Sequence, residues 1–378
     1  MSKRTLIARI ITLTIALGGL VYLYMAANQP LGFEQATVQN SQFLWSFYGT
    51  GKTAETMLSR PHAVAIDKDG NIYLADTNHQ RVLVLDPSRR LKATLDPGVT
   101  PALKKNPALT RGYLAVAVAN NGTVYVADKL QGKIYMTDLK GRNLGSIDEM
   151  QPTALAVANN KLYAATYGHI VVYDLKGHIL RKFGTRGSGL GEYDFPGGIT
   201  ADPRGNIYVS DSNNNRLVAL NQDGKIIWVV GKKGVAMNDA NRTFGLPAGL
   251  AIDEKGNLYV VDAFNGSVVV FDTQGTRLAE IGEWGKQEGQ LYYPSGIVST
   301  GKGRFIIADE FNDRLQSVKL TLPGQSASPI DGLSETLNDP VVLWGLLALG
   351  LLACTAVIVR KLLKRSSTAI AGGGAKAS

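Results

Sequence analysis

"GGITADPRGNIYVSDSNNNRLVAL", residues 197–220, decides the fold. It holds a glycine lead-in, a short apolar stretch, a D-x-x-G-N turn, a second apolar stretch ending in Asp211, and Arg216 five residues later. Short runs rich in Val, Ile, Ala and Tyr, bounded by Gly, Asn and Asp, are the pattern of strands rather than helices. The turn supplies a glycine free to take positive φ and an aspartate able to bond its own turn. The phrase recurs outward in both directions. Clear copies are "PHAVAIDKDGNIYLADTNHQRVLVLD" from Pro61, "PAGLAIDEKGNLYVVDAFNGSVVVFD" from Pro247 and "PSGIVSTGKGRFIIADEFNDRLQSV" from Pro294, with degenerate copies from Tyr113 and Pro152. Aligned on the second strand they give Tyr73, Tyr125, Tyr163, Tyr208, Tyr259 and Ile306, at spacings of 38 to 52 residues. Repeats of that length form solenoids or propellers.

Each copy has room for four strands, the first being "HAVAID", "NIYLAD", "RVLVLD" and "KATLD". A lone four-stranded sheet leaves both faces bare, and stacking six around an axis covers them. The expected fold is therefore all-β, a six-bladed β-propeller over residues 41–320, with one transmembrane helix at each end. The sixth copy stops after its third strand, while "QFLWSFYG" at Gln42 to Gly49 stands unassigned before the first. That segment is expected to close the ring as the outer strand of blade six, leaving no open edge.

The strand endings "YLADTNHQR", "YVSDSNNNR" and "IIADEFNDR", with Asp76, Asp211 and Asp309 each followed by Arg81, Arg216 and Arg314, resemble the NHL-repeat six-bladed β-propellers. The resemblance covers roughly residues 41 to 320. Blade two keeps Asp128 with Lys133, blade five Asp262 with Ser267, and blade three has Thr166 and no basic partner. Because an active site needs its residues once and a brace needs them in every blade, the repeated Asp and Arg are expected to be structural. So are Asp67, Asp202 and Asp253, which open the turns.

Ile10 to Ala27 and Val341 to Val359 are uncharged apolar runs of 18 and 19 residues. At about 1.5 Å per residue each spans a hydrocarbon core of about 30 Å. For the first, a cleaved leader is the alternative. Lys3, Arg4 and Arg9 precede it, and Arg360, Lys361, Lys364 and Arg365 follow the second. Basic flanks stay cytoplasmic, so both ends (1–9 and the low-complexity tail 360–378) are expected inside. The propeller, carried on linkers 28–40 and 321–340, is expected outside a cell inner membrane. Those ends, with Lys376, hold eight of the 40 Lys and Arg, leaving 32 against 31 acids. The basic pI thus reports topology and gives no reason to expect nucleic acid. The lone cysteine, Cys354, lies in the second apolar run, which excludes disulfides and thiol chemistry from the ring.

The resemblance implies that the loops between outer and inner strands, and between second and third strands, share a ligand- or partner-binding face. The first class is long here: "GTRGSGLGEYDF" from Gly184, "GKKGVAMNDANRTFGL" from Gly231 and "GEWGKQEGQLYY" from Gly282. Aromatic residues on such loops are reasonable anchors. The candidates are Tyr193, Phe195, Phe244, Trp284, Tyr292 and Tyr293. In the competing reading, Phe195, Leu246 and Tyr293, each immediately before a proline, only plug between blades. The channel mouth is expected to be lined by His62, Tyr113, Thr153, Gly198, Gly249 and Gly296 or their neighbours. The lactonases and amidating lyases that resemble this fold need three or four metal ligands, and His62 is the one such residue in that set. A phosphate loop, a serine nucleophile motif and paired catalytic carboxylates are absent from the sequence. No cofactor or metal is expected. A second basic feature, Arg89, Arg90, Lys92, Lys104, Lys105 and Arg111, is a candidate patch for an acidic partner or an anionic envelope polymer. The expected role is a membrane-anchored scaffold or sensor binding an extracytoplasmic protein or ligand, with a lyase- or lactonase-like enzyme and a polymer binder as alternatives.

Overall fold

The computed structural model describes residues 41–97, 114–233 and 243–322. Both apolar runs, the two termini, linker 28–40 and most of linker 321–340 lie outside these residues, as do Lys104, Lys105, Arg111 and Tyr113. No helix among the described residues is long and apolar enough to cross a membrane.

Six four-stranded antiparallel sheets are present among the described residues. Blade one comprises Pro61–Ile66, Ile72–Asp76, Arg81–Leu85 and Leu91–Leu95, innermost to outermost. Each innermost strand touches those of both neighbouring blades, and blade six returns to blade one. Alternate side chains of a strand point to opposite faces of its sheet, and here both faces meet another blade. This explains why second strands such as "IYVSD" and "LYVVD" are buried throughout. The core is correspondingly divided into six hydrophobic clusters, one between each pair of neighbours.

Blade six closes as the sequence suggests. Ser41–Phe47 pairs antiparallel with Arg314–Leu320, from Ser41 opposite Leu320 to Phe47 opposite Leu315. Beyond the strand, the Tyr48 hydroxyl donates to Glu288 at 2.6 Å and accepts from Arg314 at 2.9 Å, while Ser46 donates to the other Glu288 oxygen. The first residue of the closing strand and the last of its partner thus meet at one end of the blade. Pro294, opposite Asp309, marks the other.

Two local networks repeat. Asp67 accepts the Asn71 amide and side chain at 2.8 and 2.7 Å and the Tyr73 hydroxyl at 3.0 Å. Burial pushes its carboxyl up, but these bonds outweigh burial and hold it below its ordinary range. Asp202 and Asp253 do the same with Asn206 and Tyr208, and Asn257 and Tyr259. At the opposite end of the blades, Asp76, Asp211 and Asp309 contact Arg81, Arg216 and Arg314 at 2.8, 2.9 and 2.8 Å. Arg216 also donates to the carbonyls of Gly189 and Glu192, and Arg314 to those of Gln287 and Gln290. The pair therefore braces the loop that brings the chain in from the preceding blade. Blade two departs from this, its Lys133 turning instead to Asp148.

Candidate functional site

The residue just before the inner-strand proline takes a left-handed backbone at Arg60, Phe195 and Tyr293, with φ of 52°, 55° and 48°. That conformation costs about 1–2 kcal/mol per non-glycine residue. It persists because the buried aspartate holds the residue before it: Asp76 accepts the amide of Ser59, Asp211 that of Asp194 and Asp309 that of Tyr292, at 2.7–2.8 Å. The left-handed turn brings the Arg60, Phe195 and Tyr293 side chains to the mouth of the central channel, where they line a cavity of about 340 Å³.

Two further sets of repeat positions complete the wall. Inner-strand starts supply His62, Thr153, Gly198, Gly249 and Gly296, as expected of the channel mouth. The turn after the second strand supplies Lys129, Ser212, Ala263 and Glu310, together with Phe264 and Phe311. The glycines allow neighbouring inner strands to meet backbone to backbone: a Cβ at Gly198 would lie 2.3 Å from the Ala248 carbonyl oxygen, and one at Gly249 2.4 Å from that of Ser295. The hydroxyls are committed to the scaffold. Thr153 donates to the Pro196 carbonyl at 2.6 Å, Ser212 to that of Pro247 at 2.5 Å and Ser295 to that of His62 at 2.7 Å.

Charge enters at two places. Glu310, almost fully buried, approaches His62 Nδ1 at 2.9 Å and Arg60 at 3.4 Å. The Arg60 guanidinium lies 3.8 Å from the centre of the Phe311 ring. In blade two, Lys129 Nζ lies 4.3 Å from the Phe195 ring centre, and burial pushes its amine below the ordinary range. Beside the cavity runs an aromatic cluster in which Tyr293 contacts Trp284, Phe311, Tyr292 and Phe264 at centroid distances of 4.7, 4.7, 5.2 and 5.8 Å. Phe264, Trp284 and Phe311 remain 39–40 % exposed.

Of the residues singled out from sequence, His62, Phe195 and Tyr293 line the cavity, and Trp284 and Tyr292 stand on its aromatic rim. Tyr193 and Phe244 require correction: both are buried and offer no surface to a partner. Each stands three residues before its proline, as do the buried Leu58 and Leu291, and this position provides the plug between blades. Phe195, Leu246 and Tyr293 are consequently lining residues rather than plugs. Arg60, Lys129, Phe264, Glu310 and Phe311 were not anticipated. Their signal was departure from the repeat: Glu310 and Lys129 occupy the turn position that is Thr77, Ser212 or Ala263 elsewhere. In the basic patch, Arg89 stacks on Trp45 at 4.9 Å, Arg90 pairs with Asp86, and Lys92 bonds Asn71 at 2.9 Å, away from the cavity. Among the described residues no three of His, Cys, Asp or Glu converge as metal ligands, and the channel offers His62 and Glu310 alone.

A closed ring of six antiparallel blades around such a mouth defines a β-propeller, and comparison with known proteins specifies which kind. The NHL repeat profile matches residues 58–85 and 193–220. NHL repeat-containing protein 3 of Mus musculus is 31% identical over 172 residues, 42% of this chain and 47% of the relative. The E3 ubiquitin-protein ligase TRIM32 of Homo sapiens is 25% identical over 299 residues, 72% of this chain and 44% of the relative. The chain thus spans about half the length of these curated relatives. A solved virginiamycin B lyase from Staphylococcus aureus superposes with a TM-score of 0.53 at 13% identity, covering 74% of this chain and all of that one, a likeness of fold alone. The chain carries NHL repeats at residues 58–85 and 193–220 within a six-bladed β-propeller.

Proposed function

We propose that the protein is a membrane-anchored, extracytoplasmic propeller that binds a protein or ligand at the channel mouth. The observation that carries this reading is the cavity, walled by residues at which the repeat departs from itself, beside half-exposed aromatic rings. Concave sites of a few hundred Å³ with apolar walls and a few placed polar groups are the usual form of a ligand site. The cavity opens on the face of the inner-strand starts, and the described chain ends leave from the opposite face. Anchors beyond residues 41 and 322 would hold the ring with its cavity away from the bilayer. A photoreactive residue at Tyr293 in the full chain, in its native membrane, should give a discrete adduct that Trp284→Ser with Tyr292→Ser weakens. Indiscriminate labelling, matching that from Thr273 on the opposite face, would overturn the reading.

A lyase-like enzyme draws on one observation, the His62–Glu310 contact. Metal titration separates the two: a metal held in the channel raises the melting temperature, and His62→Ala abolishes that rise.

A further inference from the structure

We infer that the aromatic rim beside the cavity takes a proline-rich segment of a partner protein in the polyproline II conformation. This rests on the channel mouth being the binding site and goes on to the kind of partner. Tyr293 is the hub of the rim, its ring touching those of Phe264, Trp284, Tyr292 and Phe311. Several of the contacts are steep: Phe264 stands at 89° to Tyr293, Trp284 at 73° to Tyr293 and 80° to Tyr292, and Phe311 at 85° to Tyr292. Rings that meet edge to face form ridges with slots between them rather than one flat platform. The slots are set in advance by the scaffold. Asp309 accepts the Tyr292 amide at 2.7 Å, the Tyr292 carbonyl accepts the Phe311 amide at 3.2 Å, and Trp284 is bridged to Leu291.

The polar groups decide which apolar segment fits. The Trp284 indole and the Tyr292 and Tyr293 hydroxyls make no hydrogen bond among the described residues, whereas the indole of Trp228 donates to the Thr273 carbonyl. An indole N–H only donates, so the ligand has to bring acceptors. A helix uses most of its carbonyls internally. An added strand needs an open main chain to pair with, and that of this loop is committed: the Leu291 amide donates to the Glu283 carbonyl at 2.8 Å and the Gly285 amide to that of Leu291 at 3.0 Å. A polyproline II segment has no internal hydrogen bonds, so its carbonyls are available, and its proline rings fill slots between aromatic side chains. A cationic group is poorly placed, because Arg60 covers Phe311 at 3.8 Å and Lys286 lies 5.1 Å from the centre of Tyr292. Phe264, Trp284 and Phe311 are half-exposed, which leaves the ridges open, and the stiffness of proline lowers the cost of ordering the partner.

The test uses the full chain in detergent micelles and a fluorescein-labelled proline decapeptide, with a glycine–serine decapeptide as control. The proline peptide should bind about tenfold more tightly, through its buried rings. Trp284→Phe keeps the ridge and removes the N–H, so it should weaken the proline peptide about fivefold, the effect of one hydrogen bond, and leave the control unchanged. Tyr292→Phe should act in the same direction. Trp284→Ser, which removes the ridge as well, should abolish the preference for proline. Melting curves identify any variant that fails to fold, and Tyr292→Phe, which deletes one hydroxyl, then carries the test. Equal binding of the two peptides, or a proline peptide indifferent to both Trp284→Phe and Tyr292→Phe, would overturn the inference. If cellohexaose binds as tightly as the proline peptide, the rim is a carbohydrate platform and the proline assignment is overturned. Loss of proline selectivity while the Tyr293 adduct persists defeats this inference alone; loss of the adduct as well defeats the binding site.

Discussion

Buried aspartates do different amounts of work in different blades. Asp211 accepts from the Asp194 amide, Asn214 and Arg216, and burial pushes its carboxyl up against those bonds. Asp211→Ala should cost roughly 3 kcal/mol, because it leaves Arg216 buried without its carboxylate, and chemical denaturation measures this. Asp128→Ala, in the blade whose lysine turns elsewhere, should cost less. The second-strand tyrosines give a pH prediction. Burial raises the hydroxyls of Tyr125 and Tyr208 from 10.0 to about 12. Below pH 10 folded and unfolded chains both keep these protons, so the contribution is complete. Above it the unfolded chain releases protons that the folded chain retains, and stability falls as pH approaches 12. Tyrosinate absorbance should therefore rise together with loss of the β-sheet circular dichroism signal; free titration of these groups in a folded ring would contradict their burial.

At the scale of the element, the closing strand is tied at both ends, by its ladder and by the Tyr48–Glu288–Arg314 contacts. Deleting Gln42 to Gly49 should strip blade six of its outer strand and produce oligomers through the bared edge, visible by size-exclusion chromatography. Glu288→Gln should loosen the clasp and leave a monomer. The blades, their number and this closure were legible because they rest on local patterns repeated at a fixed period. The cavity was legible only in part. Glu310 reads as one solvated charge in a turn, and its approach to His62 joins residues 248 positions apart, which no local pattern contains. Tyr193 was misread for a related reason: a tyrosine in a glycine-rich loop signals exposure, and its burial depends on the neighbouring blade.

For the whole molecule, the arrangement of ends and cavity has a direct topological test. Protease added to intact spheroplasts should cut between Gly324 and Asp331 and separate the ring, still held by the first anchor, from the second, while a tag after Ser378 remains protected. A protected linker would contradict the two-anchor topology. The closing strand also imposes an order in time. A chain is made from its first residue, yet Tyr48 and Arg314, which meet at the clasp, stand 266 positions apart. At about 5–20 residues per second the first strand waits on the order of 13–50 s for its partner. During that interval five blades can assemble while Trp45 and Phe47 have only their blade-one neighbours, among them Leu58 and Arg89, and lack the blade-six side of their packing. A ribosome stalled before residue 314 therefore leaves a ring with an open seam, so the last strand of the ring acts as a completeness check on the propeller.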